Sequence, residues 1–294
     1  MCVLELLSPK IDVVFKSLFS YEESRDILSD FIAAVLDIDV NDIKEINVLS
    51  GEMLPDIAEH KNAYLDITLN VNDSLINIEM QLTNLSDFRE RILYYWSKLY
   101  TRDLKRGESY RKLKQTISIN ILDFNMFECE SYHSVFRLRA DDRDEILTDK
   151  CRFDFLELPK AAAADNSRQI SRLRRWMRFF NLKNEEEAKM LAENNEVMSK
   201  AVFILKQMSE DEKMREIARI RERALHDEAS YREDIAEAEK KARAEGEKQK
   251  EKTIVFNMFK TNQTNSLIST VTGLSDSEIE KYRQEYLLNN IHNF

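Results

Sequence analysis

Residues 61–82 have the sequence KNAYLDITLNVNDSLINIEMQL, and this stretch decides the fold of the N-terminal half of the chain. Apolar and polar residues alternate on both sides of Asn72-Asp73-Ser74, whose residue types are typical of tight turns. The pattern predicts a β-hairpin with one continuously apolar face. The apolar residues are Leu65, Ile67, Leu69 and Val71 before the turn, and Ile76, Ile78, Met80 and Leu82 after it.

The other face of this hairpin is polar and carries two carboxylates. Asp66 lies on it in the first strand, and Glu79 lies on it in the second with Gln81 two residues further along. Two carboxylates on adjacent strands can converge on one divalent cation, and such a cation activates water for phosphodiester hydrolysis. Acidic residues are common on exposed strand faces, so spacing alone favours an ordinary solvated surface. The polar neighbours of both carboxylates and the apolar opposite face favour a metal site.

The elements around the hairpin predict a mixed sheet packed by helices rather than a doubly wound fold. Helical spacing gives two helices within 9–36, and a third helix at about 87–105 has an apolar stripe that includes Tyr95 and Trp96. Strands are predicted at 43–48, 114–124, 131–138 and 153–158.

After the alanine run at 161–164 the chain becomes charge-dense and helical. The last proline is Pro159, so little interrupts a helix downstream of it. A basic amphipathic helix is predicted at 170–180, followed by a highly charged stretch with interleaved signs. The apolar stripe of that stretch is thin and rich in alanine. An exposed helical arm is therefore preferred over a coiled coil that would form a homo-oligomer.

The C-terminal end loses this charge density and predicts short helices. Thr272-Gly273 breaks the chain, and Ser275 with Glu278 has the spacing of a capping box. The arrangement resembles a helix-turn-helix. The predicted organisation is a nuclease-like core at 1–165, a charged arm at 166–252 and a short-helix element at 253–294.

Composition excludes several classes of protein. The net charge of −10 argues against a protein that coats nucleic acid by bulk electrostatics. The three cysteines form no C-x-x-C pair and predict free thiols in a reducing compartment. No apolar run is long enough to cross a bilayer. We therefore expect a cytoplasmic protein without membrane contact.

Several motifs occur together along the chain. They are PKIDVVFKSLF at 9–19, K-x3-LDI at 61–67, INIEMQ at 76–81, RILYYWSKLYTRDLKRGESY at 91–110, ISINILDF at 117–124 and TGLSDSEIEK at 272–281. In this combination the chain resembles the Rpn family of recombination-promoting nucleases, also described as PD-(D/E)XK nuclease family transposases. The resemblance covers residues 9–160 and returns at the C-terminal end. It implies a four-stranded mixed sheet flanked by helices.

The resemblance also implies site residues. Asp66 would be the acidic residue of the second core strand, Glu79 the acidic residue of the third, and Gln81 would occupy the lysine position of the superfamily. The implied metal ligands are Asp66, Glu79 and the backbone carbonyl of Met80, with Mg²⁺ as the ion and Mn²⁺ as a substitute. Asp12 matches a recurrent acidic position. It would either contact the metal through water or pair with Lys16 four residues later, and both interpretations stay open.

Two features qualify this assignment. The apparent signature Pro55-Asp56 is a decoy, because it lies ten residues before Asp66. Gln81 carries no positive charge and no titratable proton, so catalysis would depend more heavily on the metal.

Contacts to DNA would come from cations outside the carboxylate cluster, although ordinary solvated helix faces explain these cations equally well. The cations are Lys98, Arg102, Lys105, Arg106, Arg111 and Lys112, with a second cluster at 168–178.

The sequence thus predicts a metal-dependent DNA endonuclease of low sequence specificity, associated with recombination or mobile elements. The alternative is a catalytically weak module that binds nucleic acid or a partner in mobile-element or phage-defence biology. The carboxylate pair favours the first function, whereas Gln81 and the acidic net charge favour the second.

Overall fold

The computed structural model describes residues 5–20, 24–49, 67–163 and 170–291. The chain divides into two compact units, Met1–Glu222 and Arg223–Phe294. Within the described part of the chain, no helix is both long and apolar enough to cross a membrane.

The first unit is built on a mixed sheet, as predicted. Its order is β1-β2-β3-β4-β6-β5, with parallel pairing of β3 to β4 and of β4 to β6 and antiparallel pairing elsewhere. The resemblance implied four strands, and the described residues form six because β1 and β5 add one short strand at each edge. The strands are β1 Ile46–Val48, β2 Ile67–Val71, β3 Ser74–Gln81, β4 Gln115–Leu122, β5 His133–Phe136 and β6 Cys151–Glu157.

Ten helices accompany the sheet in the described residues. In chain order they are α1 Asp12–Ser20, α2 Arg25–Leu36, α3 Phe88–Thr101, α4 Leu158–Ala163, α5 Arg172–Phe180, α6 Glu185–Ala192, α7 Glu196–Glu210, α8 Glu212–Lys260, α9 Asn265–Thr272 and α10 Asp276–Ile291.

The predicted hairpin is confirmed. Val71 pairs with Ser74, which leaves Asn72 and Asp73 as a two-residue turn. Asn72 has a φ of 50°, a left-handed conformation that asparagine tolerates well. Its side chain also anchors the turn, because Oδ1 accepts from the backbone N of Lys44 at 3.0 Å and Nδ2 donates to the carbonyl of Asp42 at 2.9 Å.

The larger core lies on the apolar face of the hairpin. Ile67 and Ile78 are fully buried there against aromatic side chains from α1, α2 and α5. Trp176 of α5 is fully buried as well, and its Nε1 donates to Asp30 Oδ2 at 2.8 Å. The helices from α5 to α7 therefore contribute to this core. The first compact unit extends to Glu222, whereas the sequence suggested a core that ended at residue 165.

A smaller core lies on the opposite face of the sheet, beneath α3. Phe88 and Ile92 of this helix pack against Phe153 and Phe155 of β6. Half-buried Trp96 also packs there, and its Nε1 donates to the carbonyl of Thr116 at 2.8 Å. This second core covers the face that the sequence identified as polar.

The second unit has its own small core, formed by Val255, Phe259, Ile268, Leu274 and Ile279. The predicted capping box is confirmed, because both the backbone N and the Oγ of Ser275 donate to Glu278 Oε2, at 2.9 and 2.6 Å. The predicted boundary between the charged arm and the short-helix element, at 252/253, lies within one helix. Helix α8 runs without interruption through Gly246 to Lys260.

Candidate active site

The structure places three polar side chains of β3 on one face of the sheet. Asn77, Glu79 and Gln81 alternate with Ile76 and Ile78, which point into the larger core. This alternation follows directly from the strand period of two.

Polar residues of the neighbouring strands continue this row. Thr68 of β2 is the register partner of Asn77, and on β4 Ser118 faces Asn77 while Asn120 faces Glu79. Thr68, Asn77, Glu79, Ser118 and Asn120 are all buried. The row therefore forms a polar patch inside the protein rather than on its surface.

The polar face of the hairpin is therefore not an ordinary solvated surface. Glu79 is only 7 % exposed. The alternation of the sequence showed which residues share a face, but it did not show that α3 packs over that face. Phe88 and Ile92 of α3 pack on the same face of the sheet, against Phe153 and Phe155.

Among the described residues, two side chains interact with the carboxylate of Glu79. Asn77 Nδ2 donates to Glu79 Oε1 at 3.2 Å, and Asn77 Oδ1 is buried with no hydrogen-bond partner among the described residues. Tyr95 of α3 is the second neighbour. Its pKa is raised first by burial and then by the negative charge of Glu79. The sequence placed Tyr95 in the apolar stripe of the helix and did not connect it with Glu79.

Gln81 is held at both ends of its amide group. Its Oε1 accepts from Arg91 Nη2 at 2.5 Å, and its Nε2 donates to the carbonyl of Thr83 at 2.9 Å. Arg91 was not predicted from the sequence as a site residue. Its spacing from Tyr95 could have indicated it, because residues four apart share a face of a helix.

An ion pair lies beside the end of β3. The backbone N of Asp123 donates to the carbonyl of Gln81 at 2.9 Å, and the Asp123 carboxylate pairs with Lys10 Nζ at 2.6 Å. Both side chains are partly buried. This pair, which the sequence did not suggest, fixes the segment before α1 to the strand end next to Gln81.

The structure also describes the remaining predicted ligands, Asp12 and Met80. Asp12 lies on α1 and forms an ion pair with Arg221 of α8, with 3.6 Å between Oδ2 and Nε. The side chain of Met80 packs against the larger core. Its backbone carbonyl as a metal ligand stays a prediction.

Asp66 lies outside the described residues, as do Pro55 and Asp56. In the parts of the chain that the structure describes, no group of three or more His, Cys, Asp or Glu side chains could hold a metal ion. The pairing of Asp66 with Glu79 therefore stays a prediction.

The cations predicted to contact DNA are partly paired with acids. Arg102 contacts Asp103 at 3.0 Å, and Lys112 contacts Glu108 at 2.7 Å. In the second cluster, Arg172 Nε lies 3.7 Å from Asp30 Oδ1. These contacts reduce the positive charge that is available to a ligand.

Comparison with known proteins identifies the family. Residues 9–235 match the model of the PD-(D/E)XK nuclease family transposases, and this span covers well over half of the chain. No curated protein and no solved structure matches the chain. The six-stranded mixed sheet flanked by helices is consistent with a fold of the PD-(D/E)XK type. The chain therefore belongs to the PD-(D/E)XK nuclease family transposases.

Proposed function

We propose that this protein is a cytoplasmic, metal-dependent DNA endonuclease of low sequence specificity that acts in recombination or on mobile elements. The observation that carries the proposal is the buried carboxylate of Glu79 in a polar row of β3, in a member of this nuclease family. Asp66 and Glu79 are the proposed metal-binding carboxylates.

The oxygen atoms beside Glu79 support a cation at this position. Asn77 contributes a neutral amide donor, and its unpartnered Oδ1 is a second oxygen in the same row. Carboxylate and amide oxygens are the ligands that hard cations such as Mg²⁺ prefer, so the donor set fits the proposed ion.

The neighbourhood of Asp66 in the chain supports its role as the second carboxylate. Asp66 directly precedes Ile67, whose register partner is Ile78, and Glu79 directly follows Ile78. The alternation of the sequence assigns Asp66 to the same face as Thr68, which is buried opposite Asn77.

Each residue of the site has a separate task in the proposed reaction. When bound, the ion supplies Lewis acidity and lowers the pKa of a water molecule. Asp66 and Glu79 hold the ion in place. Gln81 retains one N–H that can orient water or a phosphate oxygen, because its other amide contacts are fixed by Arg91 and Thr83. Tyr95 and the apolar residues of α3 exclude bulk water from the carboxylate.

A plasmid-nicking assay tests this proposal. Wild-type protein should convert supercoiled plasmid to nicked circles with Mg²⁺ or Mn²⁺, and a chelator should stop the reaction. Glu79→Gln should lose this activity, whereas Glu90→Gln, which neutralises an exposed carboxylate of α3, should retain it. Nicking in excess chelator, or at the wild-type rate by Glu79→Gln, would refute the proposal.

A second function, a catalytically weak DNA-binding module, is favoured by one specific observation. Gln81 occupies the position where the superfamily has lysine, so that position supplies no charge. Under this alternative the protein binds duplex DNA without cutting it in either metal. The C-terminal unit, with its resemblance to a helix-turn-helix, would then contribute to DNA binding, and deleting 261–294 should weaken that binding.

A further inference from the structure

We propose that Arg91 of α3 supplies the positive charge that Gln81 lacks, as a positioning residue that orients Gln81 and faces a phosphodiester oxygen of the substrate. The inference rests on the proposed nuclease function. It concerns a residue outside the D-x12-E-x-Q pattern of the hairpin.

The first support is the contact between the two side chains. Arg91 Nη2 lies 2.5 Å from Gln81 Oε1, and a hydrogen bond from a charged donor is stronger than one between neutral groups. Since Gln81 Nε2 is bonded to the carbonyl of Thr83, the amide has a single orientation. Arg91 therefore decides which way the remaining N–H of Gln81 points.

The second support is an unused donor. The Nε of Arg91 is buried and has no hydrogen-bond partner among the described residues. A buried donor of a charged group without an acceptor is destabilising. A phosphate oxygen is the acceptor that best matches the planar guanidinium. The guanidinium is also held in place, since its carbon lies 5.4 Å from the ring centroid of Phe88.

The third support is the position of Gln81 relative to the carboxylate. Gln81, which Arg91 contacts, lies two residues after Glu79 on the same face of β3. Arg91 therefore lies beside the end of the strand that carries the proposed metal-binding residue.

This contact reverses an expectation based on the superfamily pattern. From the sequence alone, Gln81→Lys should preserve or raise activity, because it restores the usual lysine. In the structure the new ammonium group would face the guanidinium of Arg91, and like charges at hydrogen-bond distance repel each other. The single substitution should therefore lower activity. In combination with Arg91→Gln, the charge is moved instead of doubled, and activity should return.

A charge-relocation experiment tests the inference. The proteins are wild type, Arg91→Gln, Gln81→Lys and the double variant, with Arg89→Gln as a matched loss of charge at an exposed position of the same helix. Cleavage of a duplex oligonucleotide gives kcat and KM, and fluorescence anisotropy in chelator gives duplex affinity. Arg91→Gln should lower kcat about 100-fold, as expected for loss of one preorganised donor. Arg89→Gln should stay near wild type, and the double variant should recover most of the loss.

The outcomes separate the inference from the proposed function. If the wild type cuts DNA and Arg91→Gln cuts it equally well, the inference about Arg91 is wrong but the proposed function stands. The same conclusion follows if the kcat of the double variant is no higher than that of Arg91→Gln. A wild-type protein that never cuts refutes the proposed function. In that case the duplex affinity tests the inference. A role for Arg91 at a phosphate requires that Arg91→Gln binds the duplex more weakly than Arg89→Gln does, and equal affinities would overturn it. If Arg91→Gln does not fold, Arg91→Lys replaces it, and its kcat should lie between those of wild type and the apolar variant Arg91→Met.

Discussion

Asn77 and Glu79 lie two residues apart on β3, and the amide of Asn77 donates to the carboxylate of Glu79 at 3.2 Å in a buried environment. This bond orients the carboxylate, and the unpartnered Oδ1 of Asn77 adds a further oxygen to the same row. A residue that orients a metal ligand typically changes metal affinity when it is replaced.

Replacing Asn77 should therefore weaken metal binding. We expect Asn77→Leu to lower the affinity for Mn²⁺ about tenfold, because Glu79 loses its amide donor and the row loses one oxygen. Isothermal titration calorimetry with Mn²⁺ measures this change. Asn84→Leu, at an exposed position, serves as the control. Equal affinity in the two variants would show that Asn77 has only a packing role.

Glu79 should couple the stability of the fold to the metal. Added Mg²⁺ should raise the Tm of the wild type but not that of Glu79→Gln, since only the wild type would bind the ion. Differential scanning fluorimetry, with chelator as the metal-free reference, measures the Tm of both proteins. An equal rise in Tm for the two proteins would show that the ion does not bind through Glu79.

Tyr95 should make the fold sensitive to alkaline pH. Its folded-state pKa is raised above the ordinary tyrosine value of 10.0, mainly by burial and then by Glu79. A raised folded-state pKa means that this contribution to stability is fully present below about pH 10 and is lost as the pH rises through the folded-state value. Tyr95→Phe should show a smaller loss of unfolding free energy between about pH 9 and about pH 11, on either side of the ordinary pKa of tyrosine. Identical pH profiles of the two proteins would contradict the assignment.

The capping box of α10 predicts an acid-sensitive second unit. Two hydrogen bonds from Ser275 lower the pKa of Glu278 below its ordinary value of 4.5. Because its folded-state pKa is lowered, the Glu278 carboxylate stabilises the fold above about pH 4.5. This stabilisation is lost as the pH falls through the folded-state pKa. We expect Glu278→Ala to remove this pH dependence from the unfolding of the second unit. Glu280→Ala, two residues further along the helix, provides the control in calorimetric scans at different pH. If the acid transition is the same in Glu278→Ala as in the wild type, another titrating group causes it.

The sequence predicted the hairpin well because a period of two determines both its register and its buried face. The pairing of Val71 with Ser74 and the burial of Ile67 and Ile78 follow from the pattern at 61–82. The same pattern could not predict the burial of Glu79, because a cover by α3 depends on contacts between residues far apart in the chain. For the same reason Arg91 was not recognised as a partner of Gln81.

The extent of the core was harder to predict from the sequence. The helix at 170–180 was interpreted from its arginines, although Leu173, Trp176, Met177 and Phe180 follow the 3-1-3 spacing of a buried helix face. Their burial shows that the apolar stripe determined the packing of this helix. In α8, Gly246 did not end the helix, because one glycine costs only about 1 kcal/mol in a helix interior.

The central claim is that Asp66 and Glu79 together hold the ion that enables cleavage, and one assay tests it most directly. Plasmid nicking in Mg²⁺ should be compared for wild type, Asp66→Ala and Asp56→Ala, which removes the acidic residue of the decoy signature. We expect Asp66→Ala to abolish nicking, because one carboxylate cannot retain the ion, and Asp56→Ala to nick at the wild-type rate. Circular dichroism should show both variants folded. Nicking at the wild-type rate by Asp66→Ala, or its loss in Asp56→Ala alone, would contradict the assignment.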